Sequence, residues 1–249
     1  MSRDFFHSLA REAAGAYPAH ERFARHFAFG KLKGDPAFAH MLRERLVPEN
    51  ARVLDIGCGQ GLLCSLLLAA HARHARGDWS PGWPEPPAVS RYTGIELMQA
   101  DVERARSMAV HWQGRRQGWP THNFIAGDMR DTEFPHVDVA VILDVLHYIA
   151  HDAQVEVLER VRAALAPKGL LLIRVGDEAP TLRFRYTLFI DRVVMAARGH
   201  RLPRLWCRPV SAWREVLARL GFQVDAVPMS AGTPFANVLL VARYDGPTP

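Results

Sequence analysis

Lysine is nearly missing from this 249-residue chain: of its 31 basic residues only Lys31, Lys33 and Lys168 are lysine. Arginine suits planar carboxylate and phosphate partners, although a GC-rich coding bias produces the same imbalance. Cysteine is scarce as well. Cys58, Cys64 and Cys207 cannot close a paired disulfide framework and suit a reducing compartment, so a cytoplasmic location is expected. No apolar run approaches the roughly 18 residues of a membrane span, which leaves no membrane partner to expect. The first residues carry charge at Arg3, Asp4, Arg11 and Glu12, without the apolar stretch of a signal peptide. No repeat recurs at the spacing of a solenoid or propeller. Secreted stapled mini-proteins, collagen-like fibres and disordered tails are excluded.

What is present is a globular mixture, 49% apolar and 23% charged, able to bury a sizeable core. The formal net charge is +5 and the isoelectric point about 9.4. That excess is local. Residues 177–221 hold nine basic and four acidic side chains, while the rest of the chain is close to balanced.

Residues 3–47 predict two or three helices. Phe5, Phe6, Leu9 and Ala13 share one helical face, and Phe38, Met41, Leu42 and Leu46 another. Asp35 followed by Pro36 reads as a helix start. From Arg52 short apolar strands alternate with helices: strands over 53–56, 92–96, 124–128, 137–143 and 170–175, and helices over 62–72, 98–112 and 153–165. Strands apolar on both faces predict a parallel sheet covered by helices on each side, an α/β fold. Residues 181–199 and 211–220 then read as helices. Strands over 222–228 and 237–243 follow with no helix between them, which predicts an antiparallel hairpin at the sheet edge. Residues 75–91, rich in proline and tryptophan, are too long for an ordinary connection. They form either a lid or partner loop, or a packed surface loop.

Between the first strand and its helix runs Asp55-Ile56-Gly57-Cys58-Gly59-Gln60-Gly61. Such a glycine turn permits positive φ and lets a ligand press against backbone. The dinucleotide fingerprint needs a further glycine where this chain has Leu62. An acid leading G-x-G-x-G instead resembles motif I of class I S-adenosylmethionine-dependent methyltransferases, and the resemblance extends over residues 50–243. It implies a Rossmann-like, seven-stranded, mostly parallel sheet with a reversed last strand and S-adenosyl-L-methionine as cofactor. Glu96, with Leu97 after it, stands where the family's second strand offers an acid to both ribose hydroxyls. Asp128 stands at the adenine amino group, with Met129 against the ring. The run Asp138 to Tyr148, containing Asp144, resembles motif IV, and Leu165 to Leu170 the turn into the fifth strand. The implied cofactor residues are Asp55, Gly57, Cys58, Gly59, Gly61, Glu96, Leu97, Asp128, Met129 and Asp144. Four acids at successive strand ends suit a hydroxyl-rich cation better than a pyrophosphate; each alone also fits a helix cap.

The resemblance makes residues 1–249 a single methyltransferase domain. Its parts are a helical cap (1–48), a cofactor-binding core (50–176) with the 75–91 insertion, a basic helical cap (177–221) and a terminal hairpin (222–243). Methyl transfer mainly requires positioning and exclusion of water, and a hydroxyl acceptor also needs a base. Candidates belong near the carboxyl ends of the fourth and fifth strands: His147, Tyr148 and His151 are the catalytic candidates, and Arg174 and Asp177 follow them. A structural or substrate-lining histidine is the alternative for His147. The pairs His147/His151 and His71/His74 lack a third ligand, so no metal is expected.

Leu143-Asp144-Val145-Leu146 is not the Asn/Asp-Pro-Pro-aromatic run of amino-methylating nucleic-acid enzymes, and no Pro-Cys dipeptide occurs. Nucleic acid is therefore not the expected partner, and the expected acceptor is a small aromatic or acyl molecule. Phe23, Phe27, Phe29, the insertion and residues 177–221 are the expected specificity elements. Phe27 to Pro36 resembles methyltransferases of fatty-acid-like and aryl-polyene clusters, which implies an acyl group on an acidic acyl carrier protein. Arg183, Arg185, Arg192, Arg198, Arg201, Arg204 and Arg208 would meet it. The alternatives are an RNA methyltransferase, suggested by the isoelectric point, a non-catalytic binding module on the same fold, and a nicotinamide dehydrogenase, which Leu62 disfavours.

Overall fold

A computed structural model describes residues 2–113, 121–177, 205–230, 232–233 and 235–246. Helices α1 (Ser2–Gly15), α2 (Arg22–Gly34) and α3 (Pro36–Arg43) come first. The alternating region holds β1 (Arg52–Ile56), α4 (Leu62–Ala75), β2 (Arg91–Glu96), α5 (Gln99–Gln113), β3 (Thr121–Ala126) and β4 (Val137–Leu143). A 3-10 turn (Leu146–Tyr148), α6 (His151–Ala164), β5 (Leu165–Gly176), α7 (Val210–Arg219), β6 (Phe222–Pro228) and β7 (Asn237–Tyr244) complete it. The strand order is β3-β2-β1-β4-β5-β7-β6. β1, β2 and β3 pair in parallel, as do β4 and β5, whereas β7 runs antiparallel to β5 and β6. The expected α/β sheet with its reversed last strand is the fold observed. The predicted helix over 181–199 and the arginines from Arg183 to Arg204 lie outside the described residues.

The chain divides into two compact units, Met1–Glu133 and Phe134–Pro249. In the first, every residue of α4 from Leu62 to Ala70 is buried, as suits a helix covered all round. Ser65 Oγ donates to Ala13 O of α1 and accepts from Trp112 Nε1 of α5. Asp35 accepts from Ala37 N at the start of α3, the cap that the Asp-Pro pair predicts. The 75–91 segment is a packed loop. Trp83 stacks on Phe6 and Trp79 packs edge-on against Phe5. Asn50 N donates to Ala88 O and Ser90 N to Ala51 O, which ties the segment to the amino end of β1. A lid over the glycine turn is not what it forms, because that turn follows the opposite end of the strand.

Two strand boundaries differ from expectation. β3 ends at Ala126, because Asp128 O accepts from Asp131 N and Thr132 N and turns the chain there. β5 begins at Leu165, where Leu165 pairs with Val137 before a register shift.

Candidate active site

In the first unit the site grows from the turn after β1. Gly57 N and Cys58 N both donate to Ile95 O, at 2.8 and 3.1 Å, pinning the turn to the end of β2. Gly57, Gly59 and Gly61 have φ of 73°, 54° and 80°, a region that side chains strain to enter. A Cβ on Gly61 would lie 2.9 Å from Met108 Cε, whereas one on Gly59 would meet nothing within 4 Å. The turn is closed beneath and open at its apex. Gly94 leaves room for Cys58: a Cβ there would lie 2.7 Å from its Sγ.

Glu96 crosses to this turn. Its Oε2 accepts from Gly59 N at 2.9 Å and its Oε1 from Met98 N at 3.0 Å. An ionised carboxylate has about four lone-pair sites, so two remain for ligand hydroxyls. Leu97, next along, is exposed. Asp55 is buried and accepts from Tyr92 OH. Burial pushes its pKa up to about 7, with the Glu96 charge adding to the rise and the Tyr92 hydroxyl opposing it. Gly127 N donates to Glu96 O, which brings the Asp128 turn beside Glu96. Asp128 itself takes Arg130 Nε at 3.0 Å and Nη2 at 2.6 Å, and these bonds hold its pKa below the usual carboxylate value. Met129 is half-buried in that turn.

Residues absent from the expected set hold the turn in place. Tyr17 OH donates to Gln60 O at 2.9 Å, and Gln60 Nε2 donates to Ala24 O at 2.8 Å. Through these bonds α2 is fastened to the glycine turn. Arg104 of α5 reaches both Glu21, which precedes α2, and Asp101.

The second unit holds Asp144, His147, Tyr148 and His151. Asp144 follows β4 with φ of 59° and pairs through both oxygens with the buried guanidinium of Arg174 on β5. Asp144 is thereby committed to an ion pair, an engagement its place in the motif does not reveal. The His147 and Tyr148 rings lie 4.2 Å apart, centroid to centroid. Burial lowers the His147 pKa, with Asp144 pulling it partly back. His151 Nε2 lies 3.0 Å from Cys207 O and donates to it, since a carbonyl only accepts.

Gln154 is the hub here. Fully buried, its amide nitrogen donates to Leu146 O, Ile149 O and Trp206 O, and its Oε1 accepts from Arg208 Nε. Arg208 Nη2 also donates to His151 O, and its guanidinium lies over the Trp213 ring. Arg208 is therefore a clamp holding 205–208 against α6, a correction to its expected docking role. Among the described residues no His, Cys, Asp and Glu group could hold a metal ion, and no helix is long and apolar enough to cross a membrane.

The strand order with its antiparallel β7, together with the acid-led glycine turn and the acid ending β2, defines the class I S-adenosylmethionine-dependent methyltransferase fold. The chain belongs to the methyltransferase-domain family, whose profile matches residues 24–227. The carboxy-S-adenosyl-L-methionine synthase of Haemophilus ducreyi is 26% identical over 179 residues, covering 70% of this chain and 66% of that protein. The chain thus spans just under two-thirds of that relative's length. Acetylserotonin O-methyltransferase of Mus musculus is 34% identical over 108 residues, 41% of this chain and 26% of that one. In fold, the chain resembles the magnesium protoporphyrin IX methyltransferase of Synechocystis PCC 6803, solved with bound S-adenosylhomocysteine. The TM-score is 0.56 at 17% identity, covering 84% of this chain and 80% of that one.

Proposed function

We propose that this protein transfers the methyl group of S-adenosylmethionine to a small aromatic or acyl acceptor. The observation that carries the reading is the Glu96 carboxylate bonded to Gly59 N beside an open glycine apex. The residues fit the group. Glu96 keeps acceptor capacity for hydroxyls, Asp55 supplies a carboxylate for a cation, Gly57 and Gly59 leave backbone within reach, and buried Cys58 and Gly61 shape the turn beneath them. Leu97 offers an exposed apolar face, and Asp128 and Met129 form the adjoining turn. When bound, S-adenosylmethionine supplies an electrophilic methyl group on a sulfonium. The chain's task is then to orient the acceptor, exclude water and take a proton where the acceptor is a hydroxyl.

His147 is the proposed base, because burial keeps its ring neutral at physiological pH. Tyr148 lines the same turn. Asp144, committed to Arg174, fixes the residue that leads into that turn, and His151, bonded to Cys207 O, helps hold the 205–208 segment. The partial similarity to an O-methyltransferase supports a hydroxyl acceptor. An acyl carrier protein as the acceptor's bearer rests on the Phe27–Pro36 resemblance.

A second reading comes from the similarity to carboxy-S-adenosyl-L-methionine synthase, in which the cofactor itself is modified. One experiment separates the two. The protein is incubated with methyl-labelled S-adenosylmethionine and a panel of small phenols, aryl carboxylates and carrier-bound acyl thioesters, and the products are read by mass spectrometry. Label on an acceptor, with S-adenosylhomocysteine released, is the expected result. In a parallel incubation that also holds a carboxyl donor (bicarbonate or a decarboxylating 2-oxo acid), a carboxylated cofactor would establish the second reading. Failure to bind either S-adenosylmethionine or S-adenosylhomocysteine in calorimetry would reject both.

A further inference from the structure

We infer that Tyr92 is a positioning residue of the cofactor site, its hydroxyl holding the Asp55 carboxylate in the ionised form that a cationic ligand requires. The inference rests on the assignment of Asp55 to that site.

The two side chains come from neighbouring parallel strands. Val53 pairs with Tyr92 and Asp55 with Gly94, so Tyr92 stands two residues short of Asp55 along the sheet, on the same face. Two residues of strand rise are roughly 6–7 Å, a gap that the length of a tyrosine spans. The ring is fixed from the side by Phe124, 6.1 Å away between centroids. Both Tyr92 and Asp55 are buried, so water does not replace the bond when it is absent.

The charges around Asp55 make the hydroxyl matter. Among the described residues the groups acting on it are Tyr92 and Glu96, both from β2. Cys58 of the glycine turn and Cys64 of α4 also couple to it, but burial pushes both thiols far up and keeps them neutral. None of these groups is a cation. Burial and the Glu96 charge both oppose ionisation of Asp55, and the Tyr92 hydroxyl favours it. Tyr92 is itself pushed well above the usual phenol value by burial, so it stays a donor throughout the working range. A carboxylate accepting a hydrogen bond is stabilised over its acid, and one poised near neutrality answers to the loss of a single bond.

The test is Tyr92→Phe, which deletes the hydroxyl and keeps the ring. The affinity for S-adenosylhomocysteine, which retains the ammonium group, is measured by calorimetry from mildly acidic to alkaline pH. The Asp55 carboxyl is followed by carbon-13 NMR in the ligand-free protein. In the unaltered protein the carboxyl titrates near 7 and affinity climbs through the same range. In Tyr92→Phe both midpoints move to higher pH, by about one unit, with affinity about fivefold lower at neutral pH and the gap narrowing as pH rises above about 8. An equal loss of affinity at every pH, or an unmoved carboxyl midpoint, overturns the inference. If Tyr92→Phe does not fold, an Asp55 carboxyl titrating in the ordinary carboxylate range of the unaltered protein overturns it. Asp55→Asn separates the two levels. Should it abolish the pH dependence of binding while Tyr92→Phe leaves that dependence in place, only the role of Tyr92 falls. Should Asp55→Asn leave affinity unchanged at every pH, the assignment of Asp55 to the cofactor site falls, and the inference with it.

Discussion

Gly59 N donates to Glu96 Oε2 at 2.9 Å, so the acid that ends β2 also fixes the apex of the turn that follows β1. One carboxylate thereby shapes the loop and faces whatever rests against it. Its second oxygen is held by Met98 N at 3.0 Å, which leaves the group little freedom to swing away.

Glu96→Ala removes both anchors and the hydroxyl acceptor together. A hydrogen bond to a charged group contributes roughly 1.5–3 kcal/mol, so affinity for S-adenosylhomocysteine is expected to fall at least tenfold. Glu96→Gln keeps one acceptor oxygen and loses the charge, and is expected to lie between the two. Calorimetry on the three proteins checks the order. Unchanged affinity in Glu96→Ala would show that another acid serves the ribose.

Gln154→Ala strips the partner from three carbonyls and from the Arg208 Nε. Buried groups left without partners cost roughly 1–3 kcal/mol each when no water reaches them. Partial relaxation brings the expected loss to about 2–4 kcal/mol. Denaturant unfolding measures it. A loss below about 1 kcal/mol would mean that the 205–208 segment is held by other contacts.

The turn from Asp55 to Gly61 and the acid at Glu96 were legible because their chemistry is local: glycines at fixed spacing, an acid closing an apolar strand. Asp35 before Pro36 announced its cap for the same reason. Tyr92 stayed hidden, since a tyrosine in a strand reads as ordinary sheet packing, and its bond to Asp55 depends on the register of β1 against β2. Gln154 carried a usable signal. It shares one helical face with Val157, Leu158 and Val161, all buried, and a polar side chain on an apolar face must find partners inside. Arg130 beside Asp128, and Arg174 beside Asp144, show the opposite limit. The acids stand where the motifs put them, but their ion pairs are formed by side-chain geometry that spacing does not encode.

His147→Ala is expected to lower kcat by roughly 10²–10⁴, the range for loss of a general base, with S-adenosylhomocysteine affinity unchanged. The pH profile carries the sign. A base must be unprotonated, and burial sets the His147 pKa below the ordinary histidine value of 6.5. Activity therefore persists as pH falls through that value and declines only below it. A stopped assay of initial rates against pH locates the limb. A limb at or above the ordinary histidine value, or equal losses in kcat and cofactor affinity, would assign His147 a structural task.

Phe23 and Phe27 stack at 6.3 Å on the outer face of α2, with 77% and 37% of their surface exposed. The same helix is fastened to the glycine turn through Ala24 O and Gln60, so the ring pair is held in fixed relation to the cofactor residues of its unit. Beyond their mutual stacking the two rings add little to folding, and replacing both by alanine should lower the unfolding free energy by about 0.5–1.5 kcal/mol. An aromatic acceptor resting on these rings would lose its stacking partner, and stacking of this kind is worth roughly 0.5–1.5 kcal/mol per ring pair. Phe23→Ala combined with Phe27→Ala is thus expected to raise KM for the best phenol of the acceptor panel about tenfold, with kcat little changed, because binding lost equally from ground and transition states appears in KM alone. Steady-state kinetics beside a thermal melt decide the matter. A KM that does not move while the protein stays folded would remove this face of α2 from acceptor recognition.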